Sequence, residues 1–184
     1  MKVSVFIATS LDGFIARPDG SLDWLPGSED GEGGAEGEDH GWTAFWDSVD
    51  CLILGRKSFE KVLELAPGAW PYEGTRVIVL SSTRTTVPEA LTGKIELRAP
   101  DPAALVEELR AEGHKRLYVD GGATIQAFLH RGLITDMTIT LIPVLIGEGI
   151  PLFGPLAEDI PLKHIKSESF PSGLVQLLYE ISRQ

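Results

Sequence analysis

The amino-acid sequence predicts an α/β fold with a mostly parallel central sheet, helices on both faces and an antiparallel strand at the C-terminus. Short runs rich in Val, Ile and Leu recur along the chain, and most are continuous rather than alternating. Continuous apolar runs are typical of strands buried on both faces, as in a sheet covered by helices. Helical patterns separate the runs between Cys51 and Leu129, which indicates right-handed crossover units and therefore parallel pairing.

Seven apolar runs are the predicted strands. They are Val3–Ala8, Cys51–Leu54, Val77–Leu80, Ile95–Leu97, Leu117–Val119, Met137–Leu141 and Leu174–Ile181. No strong helical pattern separates the last two runs. Because a parallel connection needs a long crossover, we expect the final strand to join the sheet antiparallel.

Four segments have helical patterns. They are Trp42–Ser48, Ser58–Leu65, a segment from Pro102 to just before Gly113, and Ile125–His130. Asp101 and Pro102 are an N-cap residue followed by proline at the first helical position, and Leu105 and Leu109 then share one face. The helices alternate with the strands, as the crossover interpretation requires.

Composition indicates one domain, residues 1–184, with a substantial core: the chain has 184 residues and is 43% hydrophobic. A formal net charge of −11 argues against a nucleic-acid or anionic membrane partner. Much of that charge lies in Ser28–Gly41, which has six acidic residues and no Lys or Arg and is predicted to be a flexible loop within the domain.

The remaining composition favours a soluble cytoplasmic protein. Cys51 is the only cysteine, so no internal disulfide can form, and its apolar neighbours predict a buried thiol. No apolar segment approaches the roughly 20 residues that span a bilayer, and the N-terminus is too interrupted for a signal peptide. The histidines share no metal-ligand spacing. Exposed apolar residues in Ile142–Ile150 favour a homodimer.

The stretch LILGRKSFE places an anion-friendly sequence at the end of a predicted strand. Gly55 ends the strand, and Arg56, Lys57 and Ser58 open the helix that follows. Free N–H groups at a helix start favour an anion, and the two bases add full positive charges. The alternative is a glycine turn with two solvated bases.

A second strand end, in VIVLSSTR, has Ser81, Ser82, Thr83 and Arg84. Hydroxyl groups and a guanidinium suit a phosphate ester. No acidic residue follows until Glu89, so a bound dinucleotide would be NADPH rather than NADH, because NADH sites use an acidic residue on the ribose. An ordinary polar turn is the alternative.

A third strand end, in LYVDGGATIQAFL, has adjacent glycines, Gly121 and Gly122, before a helix that starts near Ala123 and Thr124. Bare backbone there permits close approach of a pyrophosphate or an unusual backbone conformation. The spacing is not that of GxGxxG. Three such strand ends should share one sheet edge, because ligands of open sheets bind at the carboxyl ends of strands.

These stretches together resemble a known family. ATSLDGFIA, LDW, LGRKSFE, VLSS, DGG before a helix, and DMTITLIPVLIGEGIPLF occur in an order similar to that of the dihydrofolate reductase superfamily. The resemblance covers nearly the whole chain. It is nearest to the reductase domain of riboflavin-biosynthesis deaminase-reductases and their stand-alone relatives. It implies a three-layer dihydrofolate-reductase-like fold and a cis peptide between Gly121 and Gly122.

The resemblance also implies the residues that hold NADPH and substrate. Ala8 and Ile15 would line the nicotinamide. The other implied cofactor residues are Gly55, Arg56, Lys57, Ser58, Leu80, Ser81, Ser82, Gly121, Gly122, Ala123, Thr124 and Ile125. Trp24 and Phe45 would face the substrate, although an aromatic helix face such as that of Phe45 is more often core.

Two carboxylates are the candidate catalytic residues. Folate reductases carry one before the LGR stretch, and Asp39 lies at the best distance from Gly55, although it could instead cap the Trp42 helix. Riboflavin-type reductases usually have Glu-Gly-Gly where this chain has Asp120 and two glycines, and Asp120 could simply bond backbone in the turn.

The expected function is therefore an NADPH-dependent reductase that transfers hydride to a small heterocycle, such as an aminouracil ribosylamine phosphate or a pterin-like compound. A non-catalytic or weakly catalytic NADPH-binding protein of the same fold is the alternative.

Overall fold

The computed structural model describes residues 1–26, 38–99 and 101–182. Its strands are β1 (Lys2–Ser10), β2 (Phe14–Ala16), β3 (Cys51–Gly55), β4 (Arg76–Leu80), β5 (Ile95–Arg98), β6 (Arg116–Asp120), β7 (Asp136–Ile142), β8 (Ile150–Pro151), β9 (Leu162–Ser169) and β10 (Val175–Ile181). Its helices are α1 (Trp42–Trp46), α2 (Arg56–Leu65), α3 (Pro102–Ala111) and α4 (Gly122–His130). The predicted α/β class is confirmed, and α2 and α4 begin two and three residues earlier than predicted.

Eight strands form one sheet in the order β5-β4-β3-β6-β1-β7-β10-β9. The six strands from β5 to β7 pair parallel, and β10 pairs antiparallel with both β7 and β9. The predicted antiparallel C-terminal strand is thus confirmed. The sequence did not predict β9, because all eight of its residues are exposed and charged or polar residues interrupt its apolar ones.

Helices cover both faces of the sheet, which explains the continuous apolar runs. In β3, Cys51 and Ile53 pack with α3 and α4 on one face. Leu52 and Leu54 pack on the other face with Phe59 of α2. These four of the five residues of β3 are 0% exposed. A strand between two such layers needs an apolar residue at every position.

The order of the strands reverses between β3 and β6. These neighbours pair in parallel, with Leu54 beside Asp120. From β3 the chain runs through α2 to β4 on one side, and from β6 it runs through α4 to β7 on the other. The two helices therefore diverge to opposite faces, and in open α/β sheets such a divergence marks a crevice at the carboxyl ends of the strands. Ligands of open α/β sheets bind at such a switch point.

A small two-stranded flap, β2 paired with β8, lies beside this edge. Asp12 fixes its approach, since its carboxylate accepts the N–H of Gly147 at 2.8 Å and that of Ile146 at 3.2 Å. Gly149 allows close packing, because a Cβ built there would lie 2.3 Å from the carbonyl oxygen of Ala16. The GEGIP stretch is therefore explained by packing of the flap.

Three further features of the fold are the burial of Cys51, the position of the predicted acidic loop and the length of the helices. Cys51 is buried, and burial raises the pKa of its thiol to about 12, so the thiol is unreactive as predicted. The predicted acidic loop, residues 28–41, lies mostly outside the described residues. In the described part, Glu38 accepts the hydroxyl of Ser172 at 2.5 Å, and the His40 carbonyl accepts Gln176 at 2.9 Å. None of the helices described has the length and apolarity to cross a bilayer.

Gly149→Ala should destabilise the protein by about 1–3 kcal/mol, because the new methyl group meets backbone that cannot yield without moving the flap. Gly154→Ala is the matched control, since a Cβ there lies 2.7 Å from the end of the flexible Gln126 side chain. Urea unfolding of both variants measures the difference. Equal losses would contradict the close approach of Gly149 to Ala16.

Candidate functional site

The starts of α2 and α4 meet at the switch point, and both have glycine as their N-cap. Gly55 caps α2 with φ −73°, and Gly121 caps α4 with φ 99°. A Cβ at Gly121 would lie 3.8 Å from the backbone nitrogen of Gly55. The three predicted strand ends therefore share one edge, since β4 lies beside β3 with Leu80 opposite Gly55.

Each N-cap glycine lies under a hydroxyl of the other helix. A Cβ on Gly55 would be 2.4 Å from Oγ1 of Thr124, the third residue of α4. A Cβ on Gly121 would be 2.2 Å from Oγ of Ser58, the third residue of α2. Real Cβ contacts are never this short, so the two helix starts approach only because both N-caps lack side chains.

No side chain among the described residues caps either helix start. The helices have 10 and 9 residues, and the first N–H groups of each lack intrahelical partners. Two such starts, with the positive ends of their dipoles close together, favour a ligand with more than one negative charge. The hydroxyls of Ser58 and Thr124 add donors at the same place.

The glycine pair differs from the implied geometry in one respect. No peptide bond within residues 1–26, 38–99 and 101–182 is cis, so the cis peptide implied between Gly121 and Gly122 is not found. The strand turns into the helix through the left-handed φ of Gly121 instead. Gly122 also has a packing role, because a Cβ there would lie 2.8 Å from Cδ1 of Ile15 in the flap.

The remaining implied cofactor residues at the strand edge differ in exposure. Ala8 is half-buried in β1, and Ala123 is exposed in the first turn of α4. Lys57 is exposed in the first turn of α2. Ile125 is 0% exposed and packs in the core with Phe128. The structure therefore gives Ile125 a supporting position below the crevice rather than a surface that a ligand could touch.

Positive charge lies beside the start of α2. Arg56 donates through Nη1 to both carboxylate oxygens of Glu60, at 2.8 and 3.1 Å. Arg84, just after β4, donates through Nη2 to the same carboxylate at 3.1 Å, and its guanidinium lies 5.4 Å from the ring centre of Phe59. Two bases from neighbouring strand ends thus form one cluster.

A groove of about 530 Å³ opens between the ends of β4 and β5. Its lining residues are Ser81, Ser82, Arg84, Thr85, Leu97, Arg98 and Ala99. The hydroxyl of Ser81 accepts the N–H groups of Arg84 at 2.7 Å and Thr83 at 3.1 Å. The serine thus shapes a turn, as the alternative interpretation held, and that turn brings the Arg84 side chain to the groove.

Asp120 lies on the other side of the crevice, at the end of β6. Burial raises the pKa of Asp120 to about 6, although the N–H of Gly121 and the hydroxyl of Tyr118 lower it. Burial, and then the nearby Asp120 carboxylate, raise the pKa of the Tyr72 and Tyr118 hydroxyls. A carboxyl group that is partly protonated near neutral pH can donate a proton. An aspartate with the ordinary pKa would be almost fully ionised at that pH and would have no proton to give.

Asp39 lies just before α1. Its carboxylate is exposed and accepts the N–H of Thr43 at 3.1 Å and the Thr43 hydroxyl at 2.7 Å. Gly41 is the N-cap residue of α1, and Asp39 holds the first turn from two residues before it, so the capping alternative is supported only in part.

The two predicted substrate residues occupy different environments. Phe45 is 9% exposed and packs against Phe6 and Tyr118, with ring centres 4.8 and 5.1 Å away, so most of its ring belongs to the core. The Trp24 ring is partly exposed, and its buried Nε1 has no acceptor among the described residues. Their contact with substrate stays a prediction.

Sequence reasoning assigned no role to Glu60, Tyr72 or Tyr118. Glu60 ends the quoted LGRKSFE stretch, and its place in that motif was the available signal. Tyr72 lies in the connection between α2 and β4, and nothing in its surroundings marks it. No group of three or more His, Cys, Asp and Glu in the described part of the chain could hold a metal ion.

Gly121→Ala should destabilise the protein by about 2–4 kcal/mol, because it adds strain at positive φ to a clash with Ser58. Gly132→Ala is the control, with φ 62° and no atom within 4 Å of its Cβ, and should cost about 1–2 kcal/mol. Ser58→Ala in the Gly121→Ala background should recover part of the loss. Urea unfolding measures all three, and no recovery would contradict the reciprocal contact.

Asp120→Asn should stabilise the protein at pH 8 by about 1–3 kcal/mol and have little effect near pH 4. The raised pKa means that the folded state holds a proton that the unfolded state has lost, so wild-type stability falls as pH rises from about 4 to about 6. Asp50→Asn should act oppositely, since hydrogen bonds from the Arg116 and Lys115 N–H groups outweigh burial and lower the pKa of Asp50. Urea unfolding of both variants between pH 4 and pH 8 measures these changes in stability. The same pH dependence in the two variants would contradict the opposite pKa shifts.

Comparison with known proteins places these features in a family. Residues 1–176 match the RibD C-terminal domain. The uncharacterised protein YwjB of Bacillus subtilis is 35% identical over 97% of both chains. A putative riboflavin biosynthesis protein from Shewanella sp. PV-4 is 41% identical over 100% of both chains, with a TM-score of 0.89. A Thermotoga maritima diaminohydroxyphosphoribosylaminopyrimidine deaminase/5-amino-6-(5-phosphoribosylamino)uracil reductase shares the fold, with a TM-score of 0.70 at 16% identity over 98% of this chain and 56% of its own. The chain belongs to the family of RibD C-terminal domains.

Proposed function

We propose that this protein is an NADPH-dependent reductase that transfers hydride to a small heterocyclic substrate. The observation that carries the proposal is the meeting of two uncapped helix starts, each with a glycine N-cap, at the switch point of the sheet. A diphosphate linker between two nucleosides matches that arrangement, because it has two negative charges and needs close backbone approach.

The preference for NADPH over NADH rests on the charges beside this crevice. Arg56 and Arg84 lie at the ends of neighbouring strands, next to the groove that Ser81 and Ser82 line. A ribose 2′-phosphate would meet guanidinium groups there, whereas a free ribose would lack the acidic partner that NADH sites usually supply. Support also comes from the local concentration of positive charge in a chain whose net charge is −11.

The nicotinamide would lie between the flap and β6. Gly122 packs against Ile15, and β1, the neighbour of β6, carries Ala8, so small and aliphatic residues would contact the ring and exclude water. Bound NADPH supplies the hydride. Asp120, whose pKa is raised to about 6, would then give a proton to the atom of the substrate that gains negative charge.

The substrate class follows from the chemistry beside Asp120 and from the relatives. The partly buried rings of Phe6 and Trp42 pack over the core rings of Phe45 and Tyr118 on this side of the sheet, and they would suit a flat ring. The Shewanella relative is described as a putative riboflavin biosynthesis protein. An aminouracil ribosylamine phosphate or a pterin-like compound is therefore the proposed substrate.

Arg56→Ala should weaken NADPH binding by more than about tenfold, because a charge-assisted phosphate contact contributes roughly 1.5–3 kcal/mol. Arg110→Ala is the control, since Arg110 is exposed on α3 and pairs with Glu107. Fluorescence titration with NADPH and NADH measures affinity, and loss of reduced-nicotinamide absorbance with dihydrofolate or the aminouracil compound measures turnover.

These measurements separate the candidate functions. Tight NADPH binding with turnover supports the reductase. NADPH binding without turnover on either substrate favours the alternative, a weakly catalytic or non-catalytic NADPH-binding protein. Unchanged affinity in Arg56→Ala would contradict the proposed position of the cofactor.

A further inference from the structure

Glu60 joins two arginines that are far apart in the sequence. Its carboxylate accepts Arg56 at 2.8 Å and Arg84 at 3.1 Å, and these two bases come from the ends of β3 and β4. The side chains of all three residues are partly exposed, at 39% for Arg56, 38% for Glu60 and 27% for Arg84. Ion pairs at such exposure are weak, so Glu60 holds the two arginines only loosely and does not close the site to a second anion.

The charges of this cluster do not balance. Two guanidiniums and one carboxylate leave one positive charge, and Lys57 adds another nearby. A phosphate monoester carries between one and two negative charges at neutral pH. Each guanidinium also has N–H groups beyond those that bond Glu60, so donors remain for a second anion.

The position of the cluster connects it to the adenosine side of the proposed cofactor. Arg84 lines the groove of about 530 Å³ between the ends of β4 and β5. Burial raises the pKa of Glu60, but the hydrogen bonds of Arg84 and Arg56 outweigh burial and hold this pKa below its usual range. The carboxylate therefore carries its negative charge at neutral pH.

We propose that Glu60 is a built-in counter-anion that limits how strongly this protein prefers NADPH over NADH. This inference rests on the proposed function. With NADH bound, Glu60 stays bonded to Arg56 and Arg84. Its negative charge then offsets the repulsion between the two guanidiniums, which an uncharged ribose could not do. With NADPH bound, the 2′-phosphate takes up the guanidinium N–H groups that Glu60 leaves free, and the negative charge of Glu60 opposes it.

The inference predicts that removal of this charge increases selectivity. Glu60→Gln keeps the size of the side chain and an acceptor oxygen, but it removes the like-charge repulsion of the phosphate. NADPH affinity should rise by about fivefold, the size of an exposed ion-pair effect, while NADH affinity stays within about twofold. The salt dependence of NADPH binding should become steeper, because more uncompensated positive charge meets the phosphate.

Glu64→Gln is the matched control. Glu64 lies four residues further along α2, pairs with Lys61 at 2.8 Å, and has a side chain that is 67% exposed. The substitution makes the same change in net charge away from the groove. It should leave both affinities and the salt dependence unchanged within about twofold.

Titration of wild type, Glu60→Gln and Glu64→Gln with NADPH, NADH, 2′-AMP and 5′-AMP tests the inference. Tighter NADPH and 2′-AMP binding in Glu60→Gln alone supports it. Weaker NADPH binding in Glu60→Gln would mean that Glu60 holds the arginines in place for the phosphate, and it would overturn the inference. Equal changes for NADPH and NADH would overturn it as well.

The four nucleotides also separate this inference from the proposed function. If wild type binds NADPH but Glu60→Gln changes nothing, the inference fails and the proposed function stands. If wild type binds neither dinucleotide, the proposed function fails. In that case, tighter 2′-AMP binding by Glu60→Gln still supports the counter-anion, and failure to bind 2′-AMP overturns it too.

Discussion

The close contact between the starts of α2 and α4 is the constraint on which the rest of the site depends. Gly55 lies under the hydroxyl of Thr124, and Gly121 lies under the hydroxyl of Ser58, so a side chain at either glycine would push the helices apart. The helices leave neighbouring strands towards opposite faces of the sheet. Their unpaired N–H groups are consequently brought together at one point, where only a ligand or water can satisfy them.

Charge and acidity are divided between the two sides of this contact. Arg56, Glu60 and Arg84 lie towards β4, where a phosphate would meet positive charge despite the acidic surface of the chain. Asp120 lies towards β1, where burial among aromatic side chains raises its pKa to about 6. A dinucleotide laid across the crevice would therefore have its adenosine end at the bases and its nicotinamide end near the acid. The order of the strands in the sheet, rather than any single motif, sets this orientation of the dinucleotide.

The sequence predicts those parts of the fold in which a residue pattern, such as a continuous apolar run, can arise from only one structural environment. Continuous apolar runs predicted seven strands, and the central ones, such as β3 and β4, have this pattern because they are buried on both faces. The exposed strand β9 lacked such a pattern, because hydrogen bonding to β10 holds it rather than burial, and β2 and β8 are too short to show one. Glycine and basic residues at strand ends predicted the crevice, but nothing local predicted that Glu60 would bond Arg84, 24 residues away. Asp39 was ambiguous for another reason. A carboxylate just before a helix can either bond the N–H groups of the first turn or act as a catalytic acid, and the local sequence is the same for both roles.

Backbone amide NMR during titration with NADPH tests most directly whether the two helix starts hold the diphosphate. The account predicts that the largest shift changes fall on the amides of Lys57, Ser58, Ala123 and Thr124, at the first turns of α2 and α4. Changes concentrated instead around the cleft at the opposite end of β4, which Trp70, Tyr72 and Lys94 line, would contradict it.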